Sequence, residues 1–410
     1  MTVSTHRGSW GPDDRIASRY HYLPVDVPPG ADGLRVRLSY DRSQGILDLG
    51  CLGPDGFRGW SGGARNTFVI APDAATPGYL PGELEPGQWY VVLGLVRVPN
   101  AGLGYELTAE TGSFSPPPPT PAPPVPERPP RRALPAGSDR RWLAGDLHSH
   151  TVHSDGAYTV DELAGLAAGR GLDFLAVTDH NTVSHHAALP AAGDRAGIVL
   201  LPGQELTTPQ GHANAFGDIG WIDFREPPDR WLEEIERRGG LLSINHPIAG
   251  EMSWLHPMRR RPPLVEVWHW SWLDQRWTTP LAWWFAWDPT AVPVGGSDWH
   301  RPGPDNAPPG SPTTWVECPA DAEPTESAPE VLEAVVDGLR AGRVALSARR
   351  DGPVLLRQGE ELVAVRAAGT TLVGPDGPRA RVRDDRARLP AEPGCHRLVD
   401  DTGATLALTP

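Results

Sequence analysis

The sequence predicts an α/β protein, with a central barrel-type α/β domain flanked by β-rich segments. Three observations carry that prediction. From about residue 139 to 345, apolar strand-like runs alternate with amphipathic helical segments, the pattern of a parallel sheet with crossover helices. Residues 1–113 instead hold short β-rich runs broken by Gly, Pro and Asp, the pattern of an antiparallel sandwich. Between them lies SPPPPTPAPPVPERPPRRALPAG, residues 115–137, whose proline content suits a semi-rigid polyproline-like spacer.

In the N-terminal segment the runs are LRVRLSY, GILDLGCLG, NTFVIAP, QWYVVLGLVRV and GYELTAE, and Leu34, Val36 and Leu38 alternate as one buried face requires. No cluster of chemically competent residues occurs there, so a structural, assembly or ligand-binding accessory role is expected. Residues 114–138 form the linker. In the domain at 139–345, TVDELAGLAAGRG opens with the capping box Thr159-x-x-Glu162 and ends at Gly169 and Gly171. DRWLEEIERRGG starts at Asp229 and also stops at glycines; SAPEVLEAVVDGLRAG opens with Ser327-x-x-Glu330 and Pro329 in its first turn. Residues 346–410 read as a short β-rich tail without chemical signature.

Composition removes several functions. The net charge is -14, with 51 acidic and 37 basic residues, every basic one an arginine, so nonspecific binding to a nucleic-acid backbone is not expected. Cys51, Cys318 and Cys395 are far apart and odd in number, which argues against a disulfide framework and for a reducing compartment. The first residues lack an apolar signal core and no run of 18 apolar residues occurs, so a cytoplasmic protein without a membrane partner is expected. Oligomeric state is left open.

Eleven of the 14 histidines fall between His148 and His300, little more than a third of the chain. Their positions explain the clustering. RWLAGD leads into His148-Ser-His150, LDFLAV into Thr178-Asp179-His180-Asn181, and GIVLLPG into Gln204-Glu205. GGLLSI leads into Asn245-His246-Pro247, AVPVGG into Ser297-Asp298-Trp299-His300, and Gly211-His212-Ala213-Asn214 starts a further apolar run. In a parallel barrel the strand C-termini meet on one face, so these residues can share a pocket. The i, i+2 spacing of His148 with His150, and of Asp298 with His300, aims both members of each pair the same way. Imidazole and carboxylate ligands without thiolate suit Mn, Fe or Zn. Asp146 and Asp179 adjoin these ligands, and either accept from imidazole N–H groups or cap backbone N–H groups.

The motifs DLHSHTVHSDG, TDHN, GQEL, GHANAF, NHP and GGSDWH, in that order over residues 142–345, resemble the polymerase-and-histidinol-phosphatase (PHP) superfamily of metal-dependent hydrolases. GHANAF and GGSDWH, together with the N-terminal β domain, resemble its CehA/McbA-like branch. The resemblance implies a distorted (β/α)7 barrel and a centre of two or three divalent ions. It implies that His148, His150, Glu205 and Asp298 hold a first ion, that Glu205 bridges to a second completed by His212 and His246, and that Asp155, His180 and His300 hold a third. All nine positions carry a competent ligand. Glu205, Asp298, His246 and Asp179 are then the candidate catalytic residues, and His269, Arg301 and Asn214 candidate substrate contacts.

His153 belongs to the first motif but to no ligand set, His185 and His186 are expected on a solvated helix start, and His256 in a loop. WHWSWLDQRWTTPLAWWFAW, residues 268–287, holds seven of the 16 tryptophans; strand alternation would put Trp268, Trp270 and Trp272 on one face. The expected mechanism is metal-assisted hydrolysis, with a water acidified at the Glu205-linked pair. Three readings follow. The first is a phosphoesterase on a small phosphomonoester or phosphodiester, nucleotides included; the second, a carbamate, ester or amide hydrolase with the same centre. The third is a ligand-binding or assembly protein with structural metals.

Overall fold

Leu34, Val36 and Leu38 point inward while Arg37 and Ser39 are exposed, so the alternation of LRVRLSY is realised as a half-buried strand. The computed structural model that shows this describes residues 2–118, 121–304, 306–324 and 329–410. Ser327 of the third capping box, and Pro119 and Thr120 of the proline run, lie outside the described residues.

The first of two units begins with β1 (Thr2–Trp10), α1 (Pro12–Ala17), β2 (Tyr20–Val27), β3 (Leu34–Tyr40) and β4 (Ile46–Gly53). It continues with β5 (Gly56–Gly62), β6 (Thr67–Ile70), β7 (Gly87–Arg97) and β8 (Leu103–Thr111). These strands make two four-stranded antiparallel sheets, ordered β1-β8-β3-β6 and β2-β7-β4-β5. Leu34, Val36 and Leu107 share one core with Leu49, Trp89 and Leu93.

The same unit takes in two short segments from later in the chain, Val152–Gly156 and Asp179–His185. Arg65 donates to the carbonyls of Val152 and, at 3.0 Å, Ser154. Gly78 N–H donates to Ser184 Oγ at 3.0 Å, and Thr182 Oγ1 donates to Gly78 O at 2.9 Å. At Gly78 φ is +101, and a Cβ would stand 2.9 Å from Trp60 O and 3.0 Å from His153 O, so both conformation and space call for glycine.

The second unit comprises Ala122–Thr151, Ala157–Thr178 and His186–Pro410. Its leading elements are β9 (Arg140–Asp146), α2 (Val160–Gly169), β10 (Phe174–Val177), α3 (Leu189–Ala196) and β11 (Val199–Thr208). There follow β12 (Gly211–Phe216), α4 (Pro228–Arg237), β13 (Leu241–Ile244), β14 (Leu264–His269), α5 (Thr279–Trp287), β15 (Val292–Gly296), β16 (Thr313–Pro319) and α6 (Pro329–Arg340). The capping box forms at α2: Thr159 Oγ1 accepts from Glu162 N–H at 3.2 Å, and Glu162 Oε2 accepts from Thr159 N–H at 2.7 Å.

The strands run β15-β14-β13-β12-β11-β10-β9-β16 within one large sheet. The mixed α/β character expected from the sequence is present, but its regular repeat is interrupted. β9, β10 and β11 are parallel, as are β13, β14 and β15, whereas β12 is antiparallel to both β11 and β13. Only Pro209 and Gln210 separate β11 from β12, too few for a crossover helix. Ser149 and Trp299 form a parallel bridge, which brings the chain beyond β9 beside the chain beyond β15.

The remaining strands, from Val344–Ser347 to Thr405–Thr409, extend this sheet past β16 and add a three-stranded sheet, around a core that includes Leu355, Leu362 and Leu398. From Ala122 onward the proline-rich run belongs to this unit. Arg128 donates to Asp173 at 2.6 Å and to Gly197 O at 2.9 Å, and Arg132 to Arg350 O at 2.7 Å and Gly352 O at 2.6 Å. Among the described residues no helix is long and apolar enough to cross a membrane.

Candidate metal centre

Within the second unit, the strand ends deliver their side chains to one buried point, Glu205. Its Oε1 lies 3.2 Å from His148 Nε2, 3.2 Å from His212 Nδ1 and 3.4 Å from His246 Nε2, and accepts from Asn245 Nδ2 at 2.9 Å. Its Oε2 lies 3.6 Å from His150 Nε2. Asp298 Oδ1 completes the first group, 3.2 Å from His148 Nε2 and 2.9 Å from His150 Nε2. Thus His148, His150 and Asp298 gather at the Glu205 carboxylate, and His212 and His246 meet its Oε1.

These residues fit a divalent ion. Nitrogen and oxygen ligands stand about 2.0–2.2 Å from such an ion, so neighbouring ligand atoms are roughly 2.8–3.6 Å apart at octahedral or tetrahedral angles. The separations here run from 2.9 to 3.6 Å. The Nε2 atoms of His148 and His246 are buried and make no hydrogen bond of acceptable angle among the described residues. Nitrogens placed close to carboxylate oxygens, but not aimed along a hydrogen bond, are open to an ion.

The electrostatics agree. Burial opposes charge on His148, yet Asp298, Glu205 and Glu266 outweigh it and lift its pKa well above that of a free imidazole. His246 is raised too: burial pulls it down, and Glu205, Glu266 and Asp298 overcome that. For Asp298 burial favours the neutral acid, but His148, His150 and His269 hold it well below the usual carboxylate range. Buried anions of this density need positive charge among them, as protons or as metal. His246 and Asp298 also sit at φ 26 and φ 50, a conformation that costs a non-glycine residue about 1–3 kcal/mol and gathers at functional sites.

Glu266 was not among the residues expected at the centre, and it is central. Its Oε1 lies 3.1 Å from His148 Nδ1 and its Oε2 accepts His246 N–H at 2.8 Å. By accepting from Nδ1–H, Glu266 would fix the tautomer whose Nε2 lone pair is available to a metal ion. His269 is drawn in beside it, with Nε2 at 3.2 Å from Asp298 Oδ2 and Nδ1 at 2.7 Å from Ser271 Oγ. Residues 266 and 269 would face opposite sides of a regular strand; a bulge between Glu266 and Trp268 puts both on the centre. The available signal was a lone glutamate in the apolar run LVEVWH.

The other candidates divide. His300 stacks on His150 with ring centroids 4.1 Å apart, and its Nδ1 lies 2.8 Å from Asp298 O. Asp155 and His180 belong to the first unit, where His180 Nε2 lies 3.5 Å from Asp155 Oδ1. Asp179, also there, accepts from Ser154 Oγ at 2.6 Å and lies 3.1 Å from His185 Nδ1. His185 is therefore fully buried rather than on a solvated helix start. His153 Nδ1 lies 2.8 Å from Ser184 Oγ, and His186 Nε2 2.9 Å from Gly203 O. Asp146 takes the backbone-capping option: it accepts N–H groups from His148, Ser297 and Gly310 at 2.8–3.1 Å, clamping the ends of β9 and β15. Burial pushes its pKa up to about 6. Asn214 is buried and donates to Leu147 O at 3.2 Å, bracing the chain beyond β9, while Arg301 is exposed.

Strand alternation does not extend through the tryptophans. β14 stops at His269, the chain turns, and Trp270 donates to Asp298 Oδ2 at 3.3 Å while Trp268 packs edge-on against Trp272 at 5.1 Å. A cavity of about 290 Å³ opens beside His246, Glu266 and His269, walled further by Trp272, Leu273 and Trp277.

Residues 146–247 match the family model described as the PHP domain, which supports the PHP superfamily for that part of the chain. A 3',5'-nucleoside bisphosphate phosphatase from Chromobacterium violaceum is 42% identical over 83 residues, 20% of this chain and 29% of the relative. A phosphoribosyl 1,2-cyclic phosphate 1,2-diphosphodiesterase from Eggerthella lenta is 37% identical over 62 residues, 15% of this chain and 24% of the relative. A 5'-3' exoribonuclease from Salmonella typhimurium is 44% identical over 68 residues, 15% and 22% respectively. The matches thus span less than a third of each of these relatives. Among solved structures, a two-domain Bacteroides vulgatus protein containing a predicted PHP-like metal-dependent phosphoesterase covers 69% of this chain and 99% of its own, at TM-score 0.42 and 16% identity.

Proposed function

We propose that the chain is a metal-dependent phosphoesterase of the PHP superfamily, in its CehA/McbA-like branch, acting on a small phosphomonoester or phosphodiester, nucleotides included. The observation that carries the reading is Glu205, one buried carboxylate oxygen within 3.4 Å of His148, His212 and His246. In this reading residues 139–345 are a distorted (β/α)7 barrel, and the N-terminal sheets a β-sandwich attached to a cytoplasmic enzyme. His148, His150, Glu205 and Asp298 would hold one Mn, Fe or Zn ion, and Glu205, His212 and His246 a second. Asp155 and His180 would serve a third.

Ions bound there supply the positive charge that polarises a phosphoryl group and makes water acidic enough to attack at neutral pH. The chain's own groups keep that arrangement rigid. Asn245 fixes Glu205 Oε1, and Glu266 holds the ring of His148 through Nδ1. Trp270 Nε1 and the nearby His269 Nε2 engage Asp298 Oδ2, which leaves Oδ1 toward His148 and His150.

The test is turnover by metal-reconstituted protein on p-nitrophenyl phosphate, bis-p-nitrophenyl phosphate and 1-naphthyl methylcarbamate. Hydrolysis of a phosphate ester is expected, lost together with bound metal in His148→Ala. Metal-loaded protein inert on both phosphates, or full activity in His148→Ala, would refute the reading. The carbamate arm tests a second one. Among the described residues no arginine lines the 290 Å³ cavity, whose wall beyond the cluster is largely apolar and aromatic, so an uncharged leaving group also suits it.

A further inference from the structure

From the grip of the N-terminal sheets on the segments Val152–Gly156 and Asp179–His185, we infer that these sheets hold the loop of Asp155 in place for ion binding, with Arg65 the positioning residue for Asp155. The inference rests on the proposed role of Asp155 and His180 as ligands of a further ion, and goes beyond it by assigning what holds them.

The two segments carry Asp155, Asp179 and His180 and group with the sheets of residues 2–118. Two contacts of the sheet module act on them. Arg65, in the chain between β5 and β6, reaches two carbonyls of one loop, Val152 O and Ser154 O, the second adjoining Asp155. A guanidinium is a planar fork of donors, so two acceptors fix the loop's rotation as well as its distance. Gly78 fastens the other segment by exchanging hydrogen bonds with Ser184 and Thr182, and its bare Cα admits His153 O. The segments are also tied to each other: Ser154 Oγ donates to Asp179 at 2.6 Å, and His153 Nδ1 lies 2.8 Å from Ser184 Oγ.

Charge points the same way. Burial holds the Arg65 pKa below that of free arginine, with Tyr79, Asp179 and Asp155 pulling it back up. The guanidinium therefore balances Asp155, in the loop it holds, and Asp179 in the other segment. Asp48, on β4, lies near Arg19 and His180; burial pushes its pKa up to about 6 and these two neighbours oppose the rise. No residue of the sheet module bearing on these loops had a role on sequence grounds, because Arg65 and Asp48 sit in no motif.

The experiment compares full-length wild type, Arg65→Ala, Arg65→Lys, Asp155→Ala and Arg65→Ala/Asp155→Ala, by bound ions per chain, ion affinity and amide exchange across 152–156. Arg65→Ala should speed exchange in that loop and weaken the Asp155-dependent ion about 10- to 100-fold, as loss of a supporting contact does elsewhere. Arg65→Lys should recover part of both, and the double variant should bind no worse than Asp155→Ala. A purely structural arginine would lower thermal stability yet leave the ion count unchanged and its effects additive with Asp155→Ala. Unchanged exchange at 152–156 in Arg65→Ala overturns the inference. Faster exchange, with no ion lost in Asp155→Ala, instead removes the third ion from the proposed function and leaves the clasp standing.

Discussion

Replacing Gly296 by alanine tests the geometry of the centre without replacing any of its proposed ligands. Gly296 ends β15, and a Cβ there would stand 2.4 Å from His148 Cβ and 2.4 Å from Glu266 Oε1. Restoring ordinary contact requires roughly 1 Å of movement, and His148 Cβ is attached to backbone that Asp146 clamps. Overpacking of this kind costs about 1–3 kcal/mol, or about 3–10 °C in Tm for a domain of this size. Metal ligands tolerate about 0.2 Å of displacement, so the ion at His148 should also be weakened at least about tenfold. Thermal unfolding and bound-metal analysis report the two effects separately. Gly104→Ala is the control, because nothing lies within 4 Å of its Cβ position, and its change should stay within about 0.5 kcal/mol. If Gly296→Ala keeps the wild-type Tm and a full complement of metal, the close approach of β15 to His148 is wrong.

Glu266→Gln should keep the fold and lower metal affinity about 10- to 100-fold, since His148 loses the carboxylate that orients Nδ1; unchanged affinity in a chelator competition would exclude that role. Because His148 and His246 have raised pKa values without metal, ion binding should release protons, and affinity should climb about tenfold per pH unit for each proton displaced. Calorimetry in buffers of different ionisation enthalpy between pH 6 and 8 reads the proton count, and a flat profile contradicts the assignment. The same shifts set the stability of metal-free protein. An imidazole whose folded pKa is raised contributes fully below about pH 6.5 and loses that contribution as pH climbs through the folded value. Metal-free protein should therefore unfold at lower temperature at pH 8 than at pH 6, which thermal scans in a chelating buffer would show or deny.

Most residues gathered at Glu205 were legible because they stand directly after an apolar run, and strand alternation aims i and i+2 together. That rule placed His148 with His150 and both near Asp298. It failed at β14, where a bulge shifts the alternation, and there Glu266 stayed hidden while three tryptophans were expected on one face. The antiparallel β12 was equally invisible, since a hairpin and a crossover read alike as apolar runs. His185 looked solvated beside His186, but its partner Asp179 is six residues away and nothing local records the pairing.

Chemistry is written in residue order: which side chains can bind cations, and that they terminate strands, follow from local pattern because alternation and turn preference act over a few residues. Assembly is not. That Arg65 reaches the loop before Asp155, that arginines tie the proline-rich run to Asp173 and Gly352, and that Glu266 steadies His148 each depend on partners 40 to 220 residues apart. Such contacts exist only once packing has brought distant backbone together, and no periodicity along the chain encodes them.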